Sequence, residues 1–136
     1  MLPLTVDDLR LFLHILAATV WVGGQITLAG LVPALRKVGA DVPKAAAQAF
    51  GRVAWPAFAV LIATGIWNVF AIKDAISNSD EVRITLTIKL VFVALSGVAA
   101  YAHARANTRR GLALWGAGTG LFALASLLFG VILSFG

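Results

Sequence analysis

Apolar residues dominate four long stretches of the chain, and polar residues collect in the short segments between them. The stretches run from about residue 8 to 31, 53 to 73, 84 to 106 and 112 to 135, and each has the roughly 20 residues that a helix needs to cross a bilayer. The segments between them contain helix-breaking residues: Pro33 and Gly39, then Asn78 within residues 74–83, then Asn107 to Gly111. The pattern predicts an all-α integral membrane protein, folded as one domain whose four transmembrane helices pack as a bundle.

Composition agrees with a membrane protein and excludes two other classes. The 136 residues are 60% hydrophobic and only 12% charged, whereas soluble domains average about 25% charged residues. A net charge of +5 would indicate nucleic-acid binding in a soluble protein, but here most basic residues lie between the stretches, as in a membrane topology signal. We therefore expect contact with a lipid bilayer and none with nucleic acid. The chain has no cysteine, which rules out disulfides and thiolate metal sites.

The basic residues also predict an orientation. The loops after the first and third stretches carry seven of them and the opposite side carries three, so the seven are expected in the cytoplasm and both termini outside. Asp7 and Asp8 stand where a signal peptide would have a basic run, so we expect the first stretch to remain in the mature protein. The prediction is a multi-pass protein of a bacterial-type inner (plasma) membrane. The seven residues are Arg36, Lys37, Lys44, Arg52, Arg105, Arg109 and Arg110.

Three ionisable residues lie inside the apolar stretches: His14, Lys89 and His103. Placing an ionisable side chain inside a membrane span costs free energy, so these residues are candidates for a functional site. By helical rise, His14 and Lys89 lie about 9 Å to the outer side of mid-span, and Asn68 lies in the same outer half. His103 lies about 12 Å to the cytoplasmic side. In an alternating bundle the two histidines are therefore about 20 Å apart and cannot ligate one metal ion within one chain.

Helical spacing groups the polar residues of each stretch on one stripe. Lipid-facing residues should be apolar, so each stripe is predicted to face the bundle interior. Structural explanations remain open: His103 is close to Arg105 and would suit a membrane interface, and Lys89 would reach the interface by extending its stem. The stripes contain Arg10, His14, Trp21 and Gln25 on the first helix, Thr64 and Asn68 on the second, and Lys89, Ser96 and His103 on the third.

Three segments resemble a known family. His14-Ile-Leu-Ala-Ala-Thr-Val-Trp21-Val-Gly23-Gly24 resembles the first helix of the CopD-like copper-resistance membrane domain. Residues 52–68, with Thr64-Gly65-Ile66-Trp67, are similar to its second helix, and Thr87-Ile88-Lys89-Leu90 looks like the start of its third. The first-helix histidine and third-helix lysine are also distantly similar to HemJ-type protoporphyrinogen oxidases. The resemblance covers roughly residues 8–106 and leaves the fourth helix unmatched.

The resemblance implies a cofactor site near the outer face. The HemJ-like similarity implies that His14 is a haem b ligand and that Lys89 matters for activity, whereas the CopD-like similarity implies copper at His14. Copper(I) prefers thiolates and thioethers, but the chain has no cysteine and its one methionine is Met1. We therefore expect a haem b protein with an electron-transfer or oxidase role. Further candidate cofactor-binding residues are Arg10, whose guanidinium would pair with a haem propionate, Trp21, Asn68 and His103.

Two alternatives to a haem protein stay open. One is a CopD-like protein for copper uptake or homeostasis. The other is a non-catalytic accessory subunit of a larger membrane complex, which would need only the four helices. In each case both a homo-oligomer and a larger membrane complex remain open as partners. The sequence identifies no substrate or redox partner.

Overall fold

The computed structural model describes residues 1–136, and all its regular elements are helical. Four helices are long and apolar enough to cross a membrane: Val6–Val38, Val42–Ala71, Asp80–Arg105 and Arg109–Phe135. The all-α class and the presence of four membrane-spanning helices are thus confirmed, although the second helix begins at Val42 rather than near residue 53, and the protein is a multi-pass membrane protein by helix length and composition. The elements in order are α1 (Val6–Ala18), a π-helical segment (Thr19–Gly23), α2 (Gly24–Val38), α3 (Val42–Ala71), α4 (Lys73–Asn78), α5 (Asp80–Arg105) and α6 (Arg109–Phe135).

The chain divides into two compact units, Met1–Ala71 and Ile72–Gly136. In the first unit, α1, the π-helical segment and α2 run as one helix that pairs with α3, and we call this pair the first hairpin. In the second unit, α5 pairs with α6, and we call this pair the second hairpin. Residues early in one helix contact residues late in the other, so both hairpins are antiparallel. The single four-helix domain and the outward termini remain predictions.

Polar caps start three of the helices before their apolar stretches begin. Thr5 and Asp8 form a capping box at the start of α1, in which each side chain accepts a backbone N–H of the other residue. The hydroxyls of Ser79 and Thr108 accept backbone N–H bonds in the first turns of α5 and α6. Residues 74–83, predicted as a loop, hold all of α4 except Lys73 and the first residues of α5. The prediction missed the start of α5 because the cap of Ser79, which satisfies one of the first N–H groups, carries no hydropathy signal.

Pro33 does not end the first helix, contrary to the prediction. It lies inside α2, which continues to Val38 and has its C-cap at Gly39. Proline removes one intrahelical hydrogen bond, but membrane helices contain proline more often than soluble ones do. Pro56 likewise lies inside α3. Where the neighbouring residues are apolar, an isolated proline is therefore weaker evidence for a helix end than their hydropathy is for a continuous helix.

The second hairpin has a core of small residues joined by a buried pair of hydroxyls. The Oγ atom of Ser96 donates to the carbonyl oxygen of Thr119 at 3.0 Å, and Oγ1 of Thr119 donates to the carbonyl oxygen of Ser96 at 2.9 Å. Ser96 is 1% exposed and Thr119 6%. Ala99 and Ala123 are also buried, so α5 and α6 approach closely along small side chains, as interfaces of membrane helices typically do.

Candidate functional site

His14 is held by Thr64 across the first hairpin. Its Nδ1 lies 2.8 Å from Oγ1 of Thr64, and that hydroxyl lies 2.7 Å from the carbonyl oxygen of Val60. A carbonyl oxygen can only accept, so the single hydroxyl proton of Thr64 goes to Val60. The hydroxyl must then accept from His14, which puts a proton on Nδ1. In the neutral imidazole, the lone pair consequently belongs to Nε2.

The ring of His14 lies against a glycine of the facing helix. A methyl group built on Gly65 would be 3.6 Å from Cε1 of the ring, which is ordinary van der Waals contact. Thr64, which accepts from the ring, is only 5% exposed. The imidazole is thus fixed by a hydrogen bond at one edge and by packing beside it. This is the arrangement in which histidine ligands usually occur, with the non-ligating nitrogen donating to a neighbour that sets the ring orientation.

One turn before His14, Arg10 is almost completely buried. It is 7% exposed, and its Nη1 donates to Oδ1 of Asn68 at 2.9 Å. Its Nη2 lies 3.0 Å from Oδ1 of Asp7, whose side chain is 75% exposed. The Nε atom is buried and has no hydrogen-bond partner. The guanidinium is therefore held at its two terminal nitrogens, while Nε is buried without a partner, which costs free energy.

Of the predicted site residues, the structure brings Arg10, His14 and Asn68 together on the facing sides of α1 and α3. Thr64, which the sequence placed on a polar stripe with Asn68, belongs to the same group through His14. The grouping follows from antiparallel pairing: one helical turn separates Arg10 from His14 on α1, and one turn separates Thr64 from Asn68 on α3. The i, i+4 spacing of both pairs was the sequence signal for it.

Trp21 lies further along the helix, in an aromatic cluster rather than beside His14. It is 3% exposed, and its ring centroid lies 4.4 Å from that of Phe58 and 5.5 Å from that of Trp55. It also sits in the π-helical segment, in which Val22 is buried as well. Short π-helical insertions in α-helices occur frequently at functional sites. The hydropathy pattern gave no sign of this one.

Gln25 is the other interior polar residue of the first helix. Both polar atoms of its side-chain amide are buried without a hydrogen-bond partner. A nearby constraint is visible at Gly24, where an added methyl group would overlap the ring of Phe50. The helix after the π-helical segment therefore approaches α3 closely, and only glycine fits at that point without displacing the Phe50 ring.

Lys89 lies in the second hairpin, against α6. A methyl group built on Gly130 would be 3.1 Å from the Nζ atom of Lys89, so the ammonium group rests on the backbone of the facing helix. Next to it, the ring of Phe92 stacks on that of Phe129 with centroids 5.8 Å apart. The Lys89 side chain is therefore partly enclosed and reaches across to α6. The catalytic role of Lys89 stays a prediction.

His103 joins the two helices of the second hairpin near their connecting loop. Its Nδ1 lies 2.8 Å from the carbonyl oxygen of Leu112, so Nδ1 is the donor. A methyl group on Gly116 would be 3.0 Å from Cε1 of the ring, so a larger residue there would have to push the ring aside. The neighbouring Arg105 packs over the ring of Tyr101 at 4.9 Å. These contacts give His103 a structural role at the helix end, and its predicted cofactor contact remains a prediction.

No group of three or more His, Cys, Asp or Glu side chains in the chain could hold a metal ion. Comparison with known proteins adds no constraint, because no family model, curated protein or solved structure matches the chain.

Proposed function

We propose that this multi-pass membrane protein binds haem b through Nε2 of His14 and has an electron-transfer or oxidase role. The observation that carries the proposal is the hydrogen-bond chain from His14 to Thr64 to the carbonyl of Val60. It fixes the tautomer in which Nε2 has the lone pair, and it fixes the plane of the ring. The resemblance of the His14–Gly24 segment to CopD-like and HemJ-like first helices supports the same residue.

The residues present fit a haem better than a copper ion. Haem iron has four porphyrin nitrogens and needs one histidine as an axial ligand. A copper ion would need several protein donors, and the chain has neither cysteine nor a cluster of three or more ligating side chains. When bound, haem b would supply one-electron redox chemistry at its iron. The chain's own part is to orient the imidazole and to present the buried cation of Arg10.

The proposal extends to the role of Lys89 and to the orientation of the chain. We assign Lys89 a part in the reaction. We assign the side with the basic loops to the cytoplasm, so that both termini lie outside a bacterial-type inner membrane. The proposed site then lies in the outer half of the bilayer. These assignments rest on the resemblance and on the distribution of basic residues.

The test is an absorption spectrum of the detergent-purified protein, oxidised and then reduced with dithionite, together with metal analysis of the same sample. We expect a Soret band and sharp reduced α and β bands, and their loss in His14→Ala. His103→Ala is the matched control, because it removes a histidine bonded across the other hairpin, and it should keep the bands. Bound copper without haem would favour the copper function, and neither group in protein made with ample haem and copper would favour an accessory subunit.

A further inference from the structure

Arg10 is the one buried side chain of the first hairpin that holds a full charge with an unused donor. It is 7% exposed and its Nε has no hydrogen-bond partner. Charged side chains inside membrane helices are costly and usually pair with an opposite charge. The only carboxylate on the guanidinium, that of Asp7, is itself 75% exposed to the surroundings. The charge of Arg10 is therefore only partly compensated from within the hairpin.

The direction of the guanidinium is fixed by its neighbours. Asn68 on α3 accepts from Nη1 at 2.9 Å, and Nη2 forms an ion pair with Oδ1 of Asp7 at 3.0 Å. Both acceptors occupy terminal nitrogens and leave Nε. An arginine that is oriented in this way, with one buried N–H donor left without a partner, suits a planar anionic acceptor such as a carboxylate.

The position of this donor limits the ligand. Arg10 is one helical turn from His14, about 6 Å along the axis. We infer that Arg10 binds a propionate carboxylate of the porphyrin whose iron is ligated by His14, with Asn68 orienting the guanidinium. This inference rests on the proposed haem function and adds the class of ligand: a tetrapyrrole with free carboxylates, held with its carboxylate edge toward the N-terminal end of α1.

The experiment compares iron(III) protoporphyrin IX with its dimethyl ester. Both keep the iron and its axial ligation, but the ester has no carboxylate. Full-length protein made under haem limitation is titrated with each compound in detergent, and the Soret band gives both dissociation constants. In the unmodified protein, the free acid should bind about tenfold or more tightly than the ester, because a charge-assisted bond to a buried donor is lost in the ester.

Variants then assign the preference to Arg10. In Arg10→Gln the two dissociation constants should become equal within about twofold, and Arg10→Lys should keep part of the preference because the charge remains. Arg83→Gln is the matched control, since Arg83 is exposed and pairs with Asp80 at the start of α5, and it should keep the full preference. The comparison in the unmodified protein needs no variant, so it holds even if Arg10→Gln does not fold.

The outcomes separate this inference from the haem function. Equal binding of acid and ester, with both lost in His14→Ala, would overturn the propionate assignment and leave haem binding intact. A preference for the acid that persists in folded Arg10→Gln would overturn the role of Arg10. Binding of neither compound would overturn the haem function and this inference with it.

Discussion

The two hairpins hold their histidines in nearly the same way, yet the surroundings of the two rings differ. In each, Nδ1 donates at 2.8 Å to the facing helix, and the ring lies beside a glycine of that helix. His14 donates to a buried hydroxyl and lies one turn from the buried Arg10. His103 donates to a backbone carbonyl in the first turns of α6, near helix ends that carry exposed arginines.

This difference shows that a fixed tautomer does not by itself make a ligand site. The bond from His103 to Leu112 ties two helix ends together, and no charge is buried near it. The bond from His14 to Thr64 lies one helical turn from Arg10, whose Nε is buried without a hydrogen-bond partner. A buried charge without a full set of partners is what distinguishes the first hairpin as a candidate site, because such a group is costly unless a ligand pairs with it.

The largest expected effect comes from Thr64→Val, which removes the acceptor of His14 at nearly constant side-chain volume. Loss of such a supporting bond typically costs 10–100-fold in affinity, so we expect about that loss in haem binding. Haem titration of the purified protein measures it, and Thr64→Ser should restore most of the affinity. Thr119→Val, which removes the matching hydroxyl of the second hairpin, should leave haem affinity unchanged. An unchanged haem affinity in Thr64→Val would contradict the proposed difference between His14 and His103.

The second effect concerns the stability of the second hairpin. The combined change Ser96→Ala and Thr119→Val removes the two buried hydroxyl bonds between α5 and α6 and leaves the bond from His103 to Leu112 in place. Interhelical bonds in membrane proteins contribute about 0.6 kcal/mol on average and up to about 1.7 kcal/mol, so unfolding by a denaturing detergent should begin at a lower concentration. Thr87→Val is the control, because its hydroxyl bonds only to the carbonyl of Arg83 in its own helix. Equal midpoints for both variants would argue against a stabilising role for the pair.

The smallest expected effect compares the two glycines beside the histidine rings. An added methyl group would lie 3.0 Å from the His103 ring in Gly116→Ala but 3.6 Å from the His14 ring in Gly65→Ala. The first change must displace the ring, and overpacking of this kind costs about 1 kcal/mol or more. We therefore expect a lower thermal midpoint in detergent for Gly116→Ala than for Gly65→Ala. The opposite order would mean that the His103 ring moves freely and does not clamp the hairpin.

Much of the fold could be predicted from the sequence, because helices that cross a membrane must be long and apolar throughout. The prediction errors occur where local hydrogen bonds, rather than hydrophobic burial, decide where a helix begins or ends. The capping groups of Thr5, Ser79 and Thr108 extend helices into polar residues, and Pro33 is accommodated inside α2. The π-helical segment leaves no trace in hydropathy, since it changes the turn of the helix and not its apolar character.

The candidate site could be predicted in part, through spacing. Arg10 and His14 share a stripe by their i, i+4 spacing, and Thr64 and Asn68 do so on α3, so antiparallel pairing brings the two pairs together. The sequence could not show which nitrogen of His14 donates, because that depends on where the proton of Thr64 goes. It also could not show that Nε of Arg10 lacks a partner, which depends on the side-chain positions of Asp7 and Asn68.

The most direct test of the central claim is chemical rescue of the proposed ligand. His14→Gly and His103→Gly are purified from haem-supplied cells, and spectra of reduced protein are recorded with and without added imidazole. With haem added to each purified variant, the account predicts that His14→Gly alone lacks the bands of the unmodified protein and that imidazole restores them, because free imidazole can occupy the place of the missing ring. A His14→Gly protein that keeps its haem and its spectrum without imidazole would contradict the assignment of His14.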